Sequence, residues 1–167
     1  MSVTAHRADA PVSVPCLVLT VSDTRTPDTD TSGQAIADLL IAAGHTVVAR
    51  ELVPDDPLKV ADAIRAHLGR KDVRAVITTG GTGITRRDNT YEAVTALFDK
   101  QLDGFGELFR MLSFEEIGAA AMLSRACAGV VCGAIVFVLP GSEDAVRLAM
   151  RRLILPELGH IVRETAR

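Results

Sequence analysis

Tryptophan is absent from this 167-residue sequence, tyrosine occurs once and phenylalanine five times, so aromatic residues make up only 4% of a chain that is 48% hydrophobic. Charge of one sign is lacking too: 18 Lys and Arg against 21 Asp and Glu leave a net charge of −3. A nonspecific nucleic-acid binder needs a basic surface and stacking aromatics, and the chain supplies neither. Cysteine is scarce, with Cys16, Cys127 and Cys132 forming an odd set without a CxxC pair. Two of the three fall inside or beside apolar runs, which predicts buried, reduced thiols and a reducing compartment. His6, His45, His67 and His160 are scattered and never pair at helical spacing, so no zinc site is expected. No apolar run approaches the ~20 residues of a membrane span. Residues Met1–Val14 lack the continuous apolar core of a signal peptide and read as a flexible tail before a single domain over 15–167. The expected location is the cytoplasm.

What is present is aliphatic and regular. The apolar content excludes disorder throughout, and a chain of this length hides roughly 70% of its unfolded surface on folding. Cys16–Val21 reads as a buried strand followed by the polar loop Ser22–Arg25. Ile36, Leu39, Leu40 and Ala43 then mark one face of a helix, with Gly44 placed to stop it. Thr46–Leu52 is a second strand. Asp56 suits the N-cap and Pro57 the first position of a second helix, packed through Val60, Ala63, Ile64 and Leu68 and ended by Gly69. Ala75–Thr79 is a third strand. Phe105, Leu108, Phe109 and Leu112 follow the helical period, Val130–Leu139 reads as two strands with a turn near Gly133, and Ser142 caps a helix packed through Val146, Ala149, Met150 and Leu153. Strands alternating with helices over short connections predict parallel βαβ units in an α/β sandwich. No composition shift, linker or internal repeat divides the chain.

Ligands of such sheets sit beyond the carboxyl ends of the strands. The polar loops there are Ser22–Arg25, Val53–Asp56, Gly80–Asn89 and Pro140–Ser142. The run TTGGTGITRRD, Thr78–Asp88, has three glycines in four residues, which suits close backbone approach and an amide-lined anion nest. It is neither a Walker A loop nor a dinucleotide fingerprint, because no Gly-Lys-Ser/Thr follows and Arg86 stands where the third glycine belongs. A sharp turn without a ligand is the competing reading of the glycines; the adjacent Arg86, Arg87 and Asp88 favour a phosphate and metal site. Asp55 and Asp88 are the pair suited to Mg²⁺, while Asp56 reads as a cap. One of Arg86 and Arg87 is expected to face solvent. Ser142 serves as a cap, although Gly141 and the helix N-terminus also suit a phosphate. Glu115 and Glu116 read as a solvated face.

These segments together resemble the MoaB/MogA family of molybdenum-cofactor biosynthesis. The resemblance runs from about Pro15 to about Pro156 through SDTR and DTSG, the PDD loop, TTGGTG and RRD, GFGELFRMLSFEEIG, LSRA and LPGS. Gly104–Gly118 with Asp30–Gly33 is most like the MoaB branch. The resemblance implies a three-layer α/β/α fold with a mostly parallel sheet, a homotrimer or homohexamer, and adenylylation of molybdopterin by MgATP with release of pyrophosphate. It assigns Asp55 and Asp88 as the two required aspartates and Gly80, Gly81, Thr82 and Gly83 as the nucleotide loop. Arg86, Arg87, Pro140, Gly141 and Ser142 would face phosphates, and Ser22, Asp23, Ser124 and Arg125 pterin or phosphate. The chain keeps both aspartates and Arg-Arg-Asp; it departs at Tyr91 and Asp103, where many relatives have proline.

On that resemblance the terminal phosphate of molybdopterin attacks the α-phosphate of ATP. Its second pKa of about 6 leaves it largely ionised at neutral pH, so no protein base is needed. ATP and molybdopterin are then substrates, Mg²⁺ is the metal, and no permanently bound cofactor, nucleic acid or membrane is expected. Transient hand-over to a molybdate-inserting protein completes the picture. A molybdopterin carrier without chemistry and a purely oligomerising module are the competing functions. Phe105, Phe109, Met111, Leu112, Phe114 and Ile117 exceed what one buried helix face needs, which suits either a core helix pair or an oligomer.

Overall fold

The structure is a computed structural model and describes residues 10–70 and 72–167. The chain runs β1 Pro15–Val21, α1 Thr31–Ala42, β2 Thr46–Val53, α2 Pro57–Arg70, β3 Ala75–Thr79, α3 Thr90–Thr95, β4 Lys100–Gln101, α4 Asp103–Ile117, a 3₁₀ segment Gly118–Leu123, β5 Cys127–Val131, β6 Ala134–Leu139, α5 Glu143–Ala149, a π-helical turn Met150–Ile154 and α6 Leu155–Thr165. The six strands form one sheet in the order β2-β1-β3-β6-β5-β4. β2, β1, β3 and β6 are mutually parallel; β5 and β4 extend the sheet antiparallel. β4 has only two residues and follows no alternating run, so nothing in the sequence marks it.

Burial of both sheet faces explains the continuous aliphatic runs. On one face Cys16, Val18, Ala75, Ile77, Ile135, Phe137 and Leu139 pack against α1, α4, α5 and α6. On the other, Leu17, Leu19, Val21, Val76, Val136 and Val138 meet Val60 and Ile64 of α2 and Ala93 and Val94 of α3. The result is the expected three-layer α/β/α sandwich. Phe105 of α4 meets Phe137 edge-on, with ring centroids 5.2 Å apart, and anchors that layer to the sheet centre.

Several boundaries shift for local reasons. Val14 is fully buried and its carbonyl accepts from the Thr46 amide, so the packed chain begins before Pro15; Met1–Asp9 of the expected tail lie outside the described residues, as does His6. Ala43 is exposed as the C-cap of α1, and Ser32, Gly33, Ala35 and Ala37 are buried beside Ile36 and Leu40. α2 runs one residue past Gly69 and buries His67, whose Nε2 lies 2.6 Å from Glu51 Oε1, in place of the half-buried Leu68. The Val130–Leu139 pair begins earlier, at Cys127, around a two-residue turn at Cys132–Gly133. Pro156 cannot donate to a carbonyl one turn back, and the π-helical turn just before α6 absorbs the fault. It shifts the buried stripe from the expected Leu153 to Ile154, Leu158 and Val162.

Cys16 and Cys127 are buried, and burial pushes each thiol up to about 12; Cys132 is exposed. Among the described residues no helix is long and apolar enough to cross a membrane.

β2 is the long outer strand, half-buried along most of its length. Its Arg50 reaches inward to Asp30 at 3.0 Å, and its Glu51 reaches to His67. Asp30 is 2% exposed. It caps α1 by accepting from the Gly33 amide at 2.9 Å and accepts from the Thr20 hydroxyl at 2.8 Å. Burial alone would raise this carboxyl, yet the Gly33, Thr20 and Arg50 donors together hold it below the usual range.

Candidate active site

Because β1, β2, β3 and β6 are parallel, their carboxyl ends share one edge of the sheet. The chain leaves β1 for β2 on one side and returns to β3 on the other, so the order reverses between β1 and β3, where α/β sheets open a crevice. The four expected loops meet there. Gly80 closes the floor: a Cβ on it would stand 2.2 Å from the Val21 carbonyl oxygen. Gly141 lies so close that its own Cβ would be 3.3 Å from Gly80 Cα.

Asp55 and Asp88 sit on this edge, each fitted against a glycine. At Gly81, φ is +66° and a Cβ would meet Thr90 Oγ1 at 2.0 Å and Asp55 Oδ2 at 2.9 Å. At Gly83 a Cβ would meet Asp88 Oδ2 at 2.6 Å. The glycine run therefore clears space for the two carboxylates. Asp55 Oδ1 accepts from the Asn89 amide at 3.3 Å, which ties it to the loop that carries Asp88. Asp88 Oδ2 accepts from the Thr85 hydroxyl at 2.6 Å and amide at 2.9 Å. The two carboxyls are pushed apart in acidity. Burial, then the charges of Asp88 and Asp23, raise Asp55; the Thr85 hydroxyl, with the Thr85 and Gly83 amides and Arg125, lowers Asp88. Asp56 instead caps α2, accepting from the Leu58 and Lys59 amides at 2.9 and 3.2 Å.

The polar side chains around the pair divide into holders and exposed groups. Asp23 accepts from the Asp55 amide at 3.1 Å and from Arg87, and that guanidinium holds its carboxyl below the usual range. Arg87 is thereby tied across the crevice although its side chain is 77% exposed; Arg86 is exposed too and makes no ion pair or hydrogen bond among the described residues, so both arginines face solvent where one was expected to. Ser22, Ser124 and Ser142 each spend a lone pair on their own turn: Ser22 on the Thr24 and Arg25 amides, Ser124 on Ala126 and Ser142 on Ala145, the last as the helix cap. The Pro140 carbonyl accepts from Thr79 Oγ1 at 2.8 Å. Arg125 is turned into the protein, donating to the Thr82 and Asp88 carbonyls at 3.2 and 3.1 Å. Beside it opens a cavity of about 350 Å³ whose lining includes Tyr91, Asp103, Glu107, Arg110, Ser124 and Arg125.

Two groups that sequence reasoning left without a role shape this edge. Arg25 donates to Ser32 Oγ at 2.9 Å and to the Gly141 carbonyl at 2.9 Å, and Ser32 donates to that same carbonyl at 2.7 Å. They pin the β6 loop to α1, which accounts for the SDTR and DTSG segments. Thr90 is the other: its Oγ1 is buried without a partner among the described residues, against Gly81. Its position two residues after Asp88 was the available signal.

A family model described as a probable molybdopterin binding domain matches residues 17–160. The chain belongs to the MoaB/MogA family of molybdenum-cofactor biosynthesis proteins. It is 56% identical to molybdenum cofactor biosynthesis protein B of Bacillus anthracis, over all of this chain and 99% of that one. A crystal structure of a molybdenum cofactor biosynthesis protein B superposes with a TM-score of 0.91 at 55% identity, covering 95% of this chain and 99% of the other. The tungsten cofactor synthesizing protein MoaB of Pyrococcus furiosus gives 0.85 at 40% identity, with 95% and 100% covered. A MogA structure gives 0.82 at 27%, with 90% and 99% covered. In this MoaB/MogA chain no cluster of three or more His, Cys, Asp or Glu side chains suited to a metal occurs among the described residues. Two carboxylates facing substrate phosphates are nonetheless the donor set Mg²⁺ takes in nucleotide sites. The cradled Asp55 and Asp88 fit that need.

Proposed function

We propose that the protein adenylylates molybdopterin with ATP and releases pyrophosphate. The observation that carries this reading is the juxtaposition of Asp55 and Asp88, joined through the Asn89 amide and each fitted against a glycine of Gly80–Gly83. The chemistry brings two anions together, so its barrier is mainly one of alignment and charge. Asp55 and Asp88 would hold Mg²⁺, which supplies neutralisation of phosphate charge when bound. The exposed Arg86 offers a guanidinium to a phosphate, Arg87 joins two walls of the crevice, and Gly141 sits at its floor. Ser22, Ser124 and Ser142 retain hydroxyl protons to donate. Asp23 positions Asp55 through its main chain. The cavity beside Ser124 and Arg125 has room for the second substrate.

The same reading gives an oligomer, trimer or hexamer, in the cytoplasm, passing its product to a molybdate-inserting protein. Leu108, expected in the core with Phe105 and Phe109, is exposed, as are Met111, Phe114 and Ile117 of α4 and Met122 and Leu123 of the 3₁₀ segment, an unusual number of exposed large apolar side chains for one stretch. Sedimentation of wild type and Phe114→Glu tests it: assembly in the first and its loss in the second are expected, and a monomeric wild type refutes it.

The deciding experiment mixes protein, molybdopterin and MgATP and follows pyrophosphate. Release that depends on all three, and that Asp88→Asn abolishes while molybdopterin binding persists, supports the enzyme. Binding without release assigns a carrier, and undiminished turnover in Asp88→Asn removes that residue from the mechanism.

A further inference from the structure

Arg125 stands just before β5, and among the described residues each hydrogen bond of its guanidinium goes to the segment around Asp88. Nε donates to the Thr82 carbonyl at 3.2 Å, Nη2 to the Asp88 carbonyl at 3.1 Å, and Nη1 to Glu92 in the first turn of α3. The Tyr91 ring lies against the guanidinium, its centroid 5.0 Å from Cζ. Thr82 and Asp88 are the two ends of the loop that carries Gly83, Thr85, Arg86 and Arg87. One planar fork thus fastens both ends of a loop that contains no strand and makes few main-chain bonds of its own. A lysine would place a single ammonium there and lose the paired geometry.

We infer that Arg125, seated on Tyr91 and neutralised by Glu92, is a positioning residue that holds the 82–88 loop so that Asp88 faces the crevice. It grips the Thr82 and Asp88 main-chain carbonyls, and its outer face lines the cavity beside them. The Glu92 carboxyl is held below its usual range first by the Arg125 hydrogen bond, so the pair keeps its charge at neutral pH. The consequence for catalysis rests on the adenylylation reading above; the consequence for loop order does not.

The test therefore has two arms on the full chain. In the first, amide hydrogen exchange is followed across 82–89 in wild type, Arg125→Lys, Glu92→Gln and Tyr91→Leu. Losing charge-assisted hydrogen bonds should speed exchange there by about ten- to a hundredfold in Arg125→Lys. Loss of the ring contact should speed it about two- to fivefold in Tyr91→Leu. Exchange in β1, β3 and β6 should not change. In the second arm, kcat for pyrophosphate release should fall about ten- to a hundredfold in Arg125→Lys while KM for ATP stays within about threefold. Unchanged loop exchange in Arg125→Lys overturns the inference, as does faster exchange throughout the sheet. Faster loop exchange with an unchanged kcat overturns the positioning role. Wild type that releases no pyrophosphate overturns the adenylylation reading alone, and the exchange arm still decides the fastening. Should Arg125→Lys fail to fold, Glu92→Gln, expected to speed loop exchange in the same direction, carries the first arm.

Discussion

A methyl group added at Gly81 measures how tightly the carboxylate cradle is built. The backbone there has φ of +66°, and the new Cβ would stand 2.0 Å from Thr90 Oγ1, 3.0 Å from Thr90 Cβ and 2.9 Å from Asp55 Oδ2. Left-handed backbone costs a non-glycine residue about 1–2 kcal/mol. Overpacking against a buried side chain adds about 1–3 kcal/mol, and Thr90 is fully buried, so it has nowhere to retreat. Gly81→Ala should therefore lose about 2–5 kcal/mol and push Asp55 out of register. Gly44 supplies the reference, because φ is +86° there and no atom of the described residues lies within 4 Å of a Cβ. Gly44→Ala should cost about 1–2 kcal/mol from backbone strain alone, with pyrophosphate release intact. Thr90→Ala removes the atom in the closest clash, and that hydroxyl has no hydrogen-bond partner among the described residues. Adding it to Gly81→Ala should restore about 1–3 kcal/mol, a non-additivity that a double-mutant cycle in urea reads directly. Gly81→Ala as stable as Gly44→Ala, or an additive cycle, would refute the reasoning.

The remaining expectations concern charge and thiols. Asp55→Asn should raise the melting temperature at pH 7 and abolish pyrophosphate release: a carboxyl whose folded pKa is raised opposes folding above that pKa, and the amide removes the opposition. Asp30 has the opposite sign. Its folded pKa is depressed, so its stabilisation is complete above the unfolded value of about 3.9 and is lost as pH falls through the folded one; urea titrations of Asp30→Asn should show a flatter acid limb below about pH 4. Arg50→Met, which leaves that carboxylate to Arg25 Nη1 at 3.6 Å, the Thr20 hydroxyl and the Gly33 amide, should cost about 1–3 kcal/mol in the same titration. Native protein should react rapidly with a thiol reagent at Cys132 alone and at three cysteines once unfolded, followed by absorbance.

Much of the sheet was legible because buried strands leave uninterrupted runs such as Cys16–Val21 and Ala134–Leu139. Asp56 and Ser142 announced their helices by spacing alone. What stayed hidden depended on partners distant in the chain. Arg25 and Ser32 converge on the Gly141 carbonyl, 116 and 109 residues away, a partner their own segment does not announce. Leu108 kept the helical period yet faces outward, since periodicity finds a stripe and not the side that is covered. At the site, the type and order of Asp55 and Asp88 could be read, and their opposed acidities could not. Those follow from burial at one and the Thr85 hydroxyl at the other. Arg125 reads as one more cation of a phosphate site until the two carbonyls it grips are seen.

The outer strand β2 sends Arg50 to Asp30 at the cap of α1 and Glu51 to His67 on α2, one charge held on each side of the sheet. A foreign strand seeking to extend that border would meet both charges at its middle, a natural guard against edge-to-edge aggregation. At the opposite border β4 offers two residues, one of them Lys100, too short a template for pairing. With both borders guarded, self-association is steered to helical surfaces, and a high concentration of this protein should yield discrete particles and not fibres.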